Sequence, residues 1–224
     1  MNRSFRTLLA SLVTLSVASG AVAKAPETEE QKTFYILGTM AGQNLGGLGL
    51  SEEELVWVQR GIADVVQGET VEIDVQEYGP KLQALLQERQ QAALVTQKAA
   101  SEAFLAEQAA KPGVTKLASG VLIEELSAGS GKAPAESNTV KVHYHGTLAD
   151  GTKFDSSVDR GEPAVFPLTR VIPCWTEGLQ KMKTGGKAKL VCPSAVAYGD
   201  AGRPPSIPGG AALVFEVELI EIVE

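Results

Sequence analysis

Between Val140 and Glu224 the chain gathers aromatic and aliphatic residues around a few polar ones. Its segments read VHYHGTLADGTKFDSS, VIPCWTEGLQKM and AYGDAGRPPSIPGGAALVFEVELIEI. Within this stretch stand Tyr144, Phe154, Phe166, Val171, Ile172, Trp175, Tyr198, Ile207 and Phe215. The polar groups among them are Asp155, Arg160 and the Tyr198 hydroxyl. They include no Ser–His–Asp grouping, no metal-ligand cluster and no phosphate-binding glycine loop. Such a set suits a preformed apolar pocket with a handful of placed hydrogen-bonding groups. His143 and His145 flank Tyr144, and their two-residue spacing sends both to the opposite face of a strand. No cysteine or third histidine joins them, and structural zinc takes four ligands, so no metal is expected. Lys181, Lys183, Lys187 and Lys189 read as a solvated face rather than a nucleic-acid patch.

Strands and one short helix must position these residues. Strand patterns fall on 114–126 around Ser119-Gly120, and on 140–148, 187–191 and 212–222. Asp150-Gly151 is a hairpin signal. In LVFEVELIEI apolar and acidic residues alternate, so one face is buried and the other wet. A helix is expected around 175–182. An antiparallel sheet curled over that helix is the economical arrangement.

The N-terminal half is expected to be all helical, making the whole chain α+β. A first helix, about 33–45, spaces Phe34, Leu37, Ala41 and Leu45 along one face, with Gly38, Gly42 and Gly46 recurring every fourth residue. Each interior glycine costs about 0.5–1 kcal/mol relative to alanine. Their repetition points to close approach by another helix, or else to a weak helix before the Gly46–Gly49 loop. Ser51 and Glu54 form a capping box for a second helix with Leu55, Val58, Ile62 and Val65 on its apolar stripe and Gly68 at its stop. A long helix is expected from Asp74 to Lys111, with Gly79-Pro80 able to kink its first turns. From Gln87 onward it reads as a solvated strut. Two short helices and a strut bury too little surface alone, so a second copy of the chain is expected to complete them.

Arg3 and Arg6 precede a short apolar run that ends in Ala21-Val22-Ala23, the pattern of a cleaved secretory signal peptide over 1–23. The run is short of the ~20 residues that span a bilayer, so no membrane span is expected after cleavage. The remaining chain has 18 basic and 27 acidic residues, a net charge of −9. That balance argues against nucleic-acid partners. Hydrophobic residues at 44% and charged residues at 21% are ordinary globular values, which argues against global disorder. Cys174 and Cys192 permit one bridge in an exported protein, the alternative being two buried thiols.

The blocks quoted from the last half of the chain occur together, in order, in FKBP-type peptidyl-prolyl isomerases, and this half closely resembles that family. The helical half resembles, in helix order and length, the macrophage infectivity potentiator branch from Gram-negative bacteria. The resemblance implies three regions: 1–23 as signal, 24–112 as helical dimerisation domain and connecting helix, and 113–224 as isomerase domain. It implies rotation of X–Pro bonds in proline-containing unfolded or nascent exported proteins, without a cofactor, in the periplasm or on the outer surface. Macrolide inhibitor binding and a homodimer through the N-terminal helices are further implications. Trp175 would floor the pocket, with Tyr144, Phe154, Phe166, Val171, Ile172 and Phe215 as walls and Ile207 at the lip. Tyr198 would donate to a substrate carbonyl. Asp155 would orient Tyr144 or Arg160 and meet the twisted carbonyl, while also pairing structurally with Arg160. Family members usually carry a glycine and an aliphatic residue at the positions of Cys174 and Cys192, and the paired departure favours a disulfide. Ala164, Arg203 and Ser206 also depart from the common pattern and open the rim. The other reading is a non-catalytic dimeric chaperone or surface-interaction protein that binds unfolded chains in its cleft.

Overall fold

The computed structural model describes residues 25–43, 45–69 and 71–223. The segment read as a signal peptide lies outside them. By packing, the chain divides into residues 1–41 and a unit of residues 42–224.

Helix α1 spans Glu29–Gln43, beginning four residues earlier than expected. It buries none of its described residues, and Phe34, Tyr35, Leu37 and Met40 are all exposed. A Cβ added at Gly38 or Gly42 would meet open space.

In the larger unit, helix α2 spans Glu52–Gln67 with the expected reciprocal cap. Ser51 Oγ accepts from the Glu54 amide, and the Glu54 carboxylate accepts from the Ser51 amide at 2.9 Å. Gly68 closes the helix in the left-handed conformation. Helix α3 runs from Val75 to Ala109, with Asp74 as its N-cap. Its 35 residues extend about 52 Å. Pro80 sits inside it and does not end it. Arg89 of α3 ties the helices together, donating to Leu48 O at 3.2 Å and pairing with Glu54. That guanidinium, with the Ser51 hydrogen bonds, lowers the Glu54 carboxyl to about 2.

Strands β1 (Val114–Lys116), β2 (Leu122–Ser127), β3 (Thr139–Leu148), β4 (Lys153–Ser156), β5 (Ala164–Pro167), β6 (Lys187–Cys192) and β7 (Leu213–Val223) form one antiparallel sheet. Its order is β1-β2-β6-β7-β3-β4, and β5 also pairs with β3. Helices α4 (Ser157–Arg160) and α5 (Pro173–Leu179) complete it. Helix α5 starts two residues before the expected position because Pro173, with no amide hydrogen to satisfy, suits its first turn. Alternation along β3 points Val140, Val142, Tyr144 and Gly146 inward. The core packs these residues against Trp175 and Leu179 of α5 and Leu190, Leu213 and Leu219 of β6 and β7.

The strut expected beyond Gln87 is corrected at its C-terminal end. Ser101, Phe104, Leu105 and Gln108 share one face of α3, and Ser101 and Gln108 are buried. Phe104 and Leu105 cover Leu122, Val191 and Val214, a cross-strand apolar row on the sheet's other face. Two of the four positions on that helical face are polar, which hid it from a hydrophobic count. The compact unit of residues 42–224 includes α3.

Candidate functional site

The inward residues of β3 and its neighbours meet α5 in one aromatic cluster. Trp175, 4% exposed, receives three rings edge to face: Tyr144 at 5.2 Å, Phe215 at 5.3 Å and Phe166 at 5.7 Å between centroids. Such T-shaped pairs place the positive ring edge on a negative ring face and add about 0.5–1.5 kcal/mol each beyond burial. Val171, Ile172, Phe154 and Tyr198 pack against the cluster while keeping part of their surface open. Ile207 is buried in it. Among the described residues, the Trp175 indole Nε1 is the one buried side-chain polar atom without a hydrogen-bond partner.

A bulge brings the polar edge to the same face. His145 pairs with Ser156 and Gly146 with Asp155, but Thr147 pairs with Lys153, leaving Phe154 as the extra residue. Phe154 and Asp155 are thereby both turned toward the cluster. Phe154 lies 5.5 Å from Phe215, ring edge to face. Gly146 makes room for this pair: a Cβ there would lie 2.8 Å from the Phe154 ring and 3.1 Å from that of Phe215. That glycine carries no signal in a single sequence, since its role exists only across three strands.

The Tyr144 hydroxyl donates to Asp155 Oδ2 at 2.5 Å. Arg160 donates to Asp155 Oδ1 at 2.5 Å and to the Tyr144 hydroxyl at 3.0 Å, closing a three-membered network. Burial pushes the Asp155 carboxyl up, but hydrogen bonds from Tyr144 and Arg160 outweigh it and hold the group below the ordinary carboxylate range. Burial first, and the Asp155 carboxylate second, push the Tyr144 phenol above its ordinary value.

Ser156 and Ser157 open a helix, and serines in that position are a cap signal legible in the sequence. Ser156 Oγ accepts from the Asp159 amide at 3.2 Å and caps α4, which carries Arg160. Ser157 Oγ accepts from the Tyr144 amide at 2.8 Å. On the outer face, His143 Nδ1 lies 3.2 Å from Ser157 Oγ and His145 Nδ1 lies 3.1 Å from Ser156 Oγ.

Tyr198 stands in the loop between β6 and β7, half-buried, and its hydroxyl has no protein partner among the described residues. Arg203 and Ile207 exchange backbone hydrogen bonds at 2.8 and 3.0 Å around a cis Pro204–Pro205 bond. Arg203 and Ser206 are exposed, and Ala164 is half-buried. Cys174 and Cys192 form a disulfide with 5.7 Å between Cα atoms, joining the first turn of α5 to the end of β6. Both cysteines are 0% exposed.

Comparison with known proteins matches this arrangement to one family. The profile described as FKBP-type peptidyl-prolyl cis-trans isomerase matches residues 130–220, and that of the domain amino terminal to it matches 30–124. The chain is 42% identical over 207 residues to the FKBP-type 22 kDa peptidyl-prolyl cis-trans isomerase of Escherichia coli K12, covering 88% of this chain and 97% of that one. It is 34% identical to the peptidyl-prolyl cis-trans isomerase Mip of Coxiella burnetii, over 94% of each. The crystal structure of FkpA from Escherichia coli superposes with a TM-score of 0.63 at 36% identity, covering 88% of this chain and 98% of that one. A sheet closed over a short helix and an aromatic cluster with these polar groups define an FKBP-type domain. The chain belongs to the FKBP-type peptidyl-prolyl cis-trans isomerases and is an isomerase.

The disulfide closes a loop of 18 residues, which in the chain-entropy account stabilises by about 3 kcal/mol. The double variant Cys174→Ala/Cys192→Ala should lose about that much in urea-induced unfolding. A loss below about 1 kcal/mol would show that the bridge contributes little.

Proposed function

We propose that the aromatic cluster is the isomerisation site, with Trp175 beneath the proline ring and Tyr144, Phe154, Phe166, Val171, Ile172, Ile207 and Phe215 around it. The observation that carries this reading is the single face that joins Trp175, ringed edge to face, to the Asp155–Tyr144–Arg160 network. Rotation about an X–Pro bond breaks no covalent bond, so no nucleophile or base is required. The barrier of about 18–20 kcal/mol comes from amide conjugation. In the twisted state the proline nitrogen loses that conjugation and the carbonyl becomes less polar. Water solvates the planar amide well, so a dry aromatic wall lowers the twisted state relative to it. Tyr198, with its hydroxyl uncommitted, donates to a substrate carbonyl and fixes the chain across the pocket. Asp155, held ionised, orients the Tyr144 ring and faces the rotating carbonyl. The same walls would take a macrolide inhibitor.

The substrates we propose are proline-containing segments of exported proteins, met in the periplasm or on the outer surface after removal of residues 1–23. We assign 24–112 to dimerisation and connection, and 113–224 to the isomerase domain. Val65, Val66 and Trp57 of α2 are 79%, 81% and 71% exposed, and Val75, Tyr78 and Leu82 of α3 are exposed too. Apolar area of this kind on one chain suits burial against a second copy. A holding activity toward unfolded chains would use whatever part of that surface the dimer leaves free. No described helix is long and apolar enough to cross a membrane.

In a protease-coupled assay on the full chain, Tyr198→Phe should lower kcat/KM about 3- to 10-fold, the worth of one neutral hydrogen bond. Asp155→Ala should lower it further, with the fold kept by circular dichroism. Full activity in both variants would remove these residues from the mechanism.

The pH profile of kcat/KM should be flat from about pH 5 to 9, because Asp155 is depressed and Tyr144 raised away from neutrality. The sign follows: the Asp155 ion pair is complete above the ordinary carboxylate range and is lost only as pH falls through its lowered value. A bell-shaped profile centred on neutrality would require a titrating group outside this network.

Sedimentation should show a dimer, and Trp57→Asp with Val65→Asp should shift it to monomer. A wild-type monomer at micromolar concentration would leave these apolar helices unexplained.

A further inference from the structure

Helix α3 reaches the loop that carries Tyr198. Ser101, 4% exposed, donates from Oγ to Gly210 O at 2.9 Å and accepts from the Ala212 amide at 2.9 Å. These two backbone groups lie just before β7. The helix thus supplies, from 109 and 111 residues away in sequence, the bonds that a neighbouring strand would otherwise make. One turn earlier, Lys98 pairs with Asp200 at 2.7 Å, two residues beyond Tyr198. Glycine is required where the helix and loop touch: a Cβ at Gly210 would lie 2.8 Å from Lys98 Cγ and 3.0 Å from Leu94 Cδ1, and its φ is +76°. The loop is closed at its neck by the Gly210 amide donating to Gly199 O at 2.8 Å. Gly199 follows Tyr198 directly, so the atoms that α3 grips are one hydrogen bond from the tyrosine backbone.

We propose that Ser101 and Lys98 are positioning residues of the isomerase: α3 holds the neck of the loop and so sets where the Tyr198 hydroxyl stands. This rests on Tyr198 as the substrate donor. A buried serine inside a helix interior is neither a strong helix former nor an apolar contact. Its presence here is explained by the two backbone groups it satisfies, which would otherwise be buried and unpaired.

The test is a double-mutant cycle on the full chain, read as kcat/KM. Ser101→Ala should lower kcat/KM about 3- to 10-fold, like Tyr198→Phe. In the Tyr198→Phe background it should lower it by less than about 2-fold, since the hydroxyl it positions is already gone. Amide exchange at Gly210 and Ala212 should also speed up in Ser101→Ala. If the two losses multiply, or if Ser101→Ala keeps wild-type kcat/KM, the serine only docks the helix and the proposal fails. If Tyr198→Phe alone is fully active, the site assignment has failed instead, and that single variant reports it. Should Ser101→Ala not fold, Lys98→Met removes an exposed pair without burying an unpaired group. It should cost about 2-fold in the wild-type background and nothing in Tyr198→Phe. No loss in the first, or an equal loss in both, overturns the proposal.

Discussion

The edge-to-face packing of three rings on the Trp175 indole is the constraint on which the rest of the domain depends. An indole laid flat against the core would be ordinary burial. With Tyr144, Phe166 and Phe215 all approaching edge to face, the four rings hold one another in fixed orientations. That arrangement demands a helix start at a defined place, which Pro173 and the Cys174–Cys192 bridge provide. It also demands room in β3, which Gly146 provides. The indole Nε1 is left without a protein partner, a cost of about 1–3 kcal/mol for a buried group. A natural core usually satisfies such an atom.

The Asp155–Arg160 pair is a device of orientation more than of stability. Their side chains are 39% and 47% exposed, and pairs in that regime contribute about 0–1 kcal/mol after solvent screening. The network instead keeps the Tyr144 hydroxyl committed and its ring upright against Trp175. Ser156 and Ser157 extend the control by capping the turn that presents Arg160 and by holding the Tyr144 backbone. With Asp155 lowered and Tyr144 and Arg160 raised, these three groups are each held in one protonation state near neutrality. A reaction without proton transfer is served by that constancy.

Much of this architecture is legible in the residues alone. The period-two pattern of β3 and β7, the capping box at Ser51 and the stop at Gly68 are local signals, and each stands where the residues put it. Asp150-Gly151 signals the β3–β4 hairpin, whereas the four residues of β5 carry too little periodicity to separate from a loop. The bulge at Phe154 was hidden for a different reason: it is defined by register against β3, and register is a property of two strands. The packing face of α3 was missed because Ser101 and Gln108 look solvated until the groups they satisfy are in place.

The two halves of α3 differ in what they bury. A helix that is apolar and exposed at Val75, Tyr78 and Leu82, yet polar and buried at Ser101 and Gln108, reverses the usual sense of an amphipathic face along its length. Its first half leaves apolar side chains exposed, and its last three turns pack on the sheet. Hydrophobic burial is non-directional and tolerates sliding, whereas two hydrogen bonds through one hydroxyl fix position to within a few tenths of an ångström. The hydrogen bonds through Ser101 therefore fix the end of α3 nearest the Tyr198 loop more closely than apolar contact alone would.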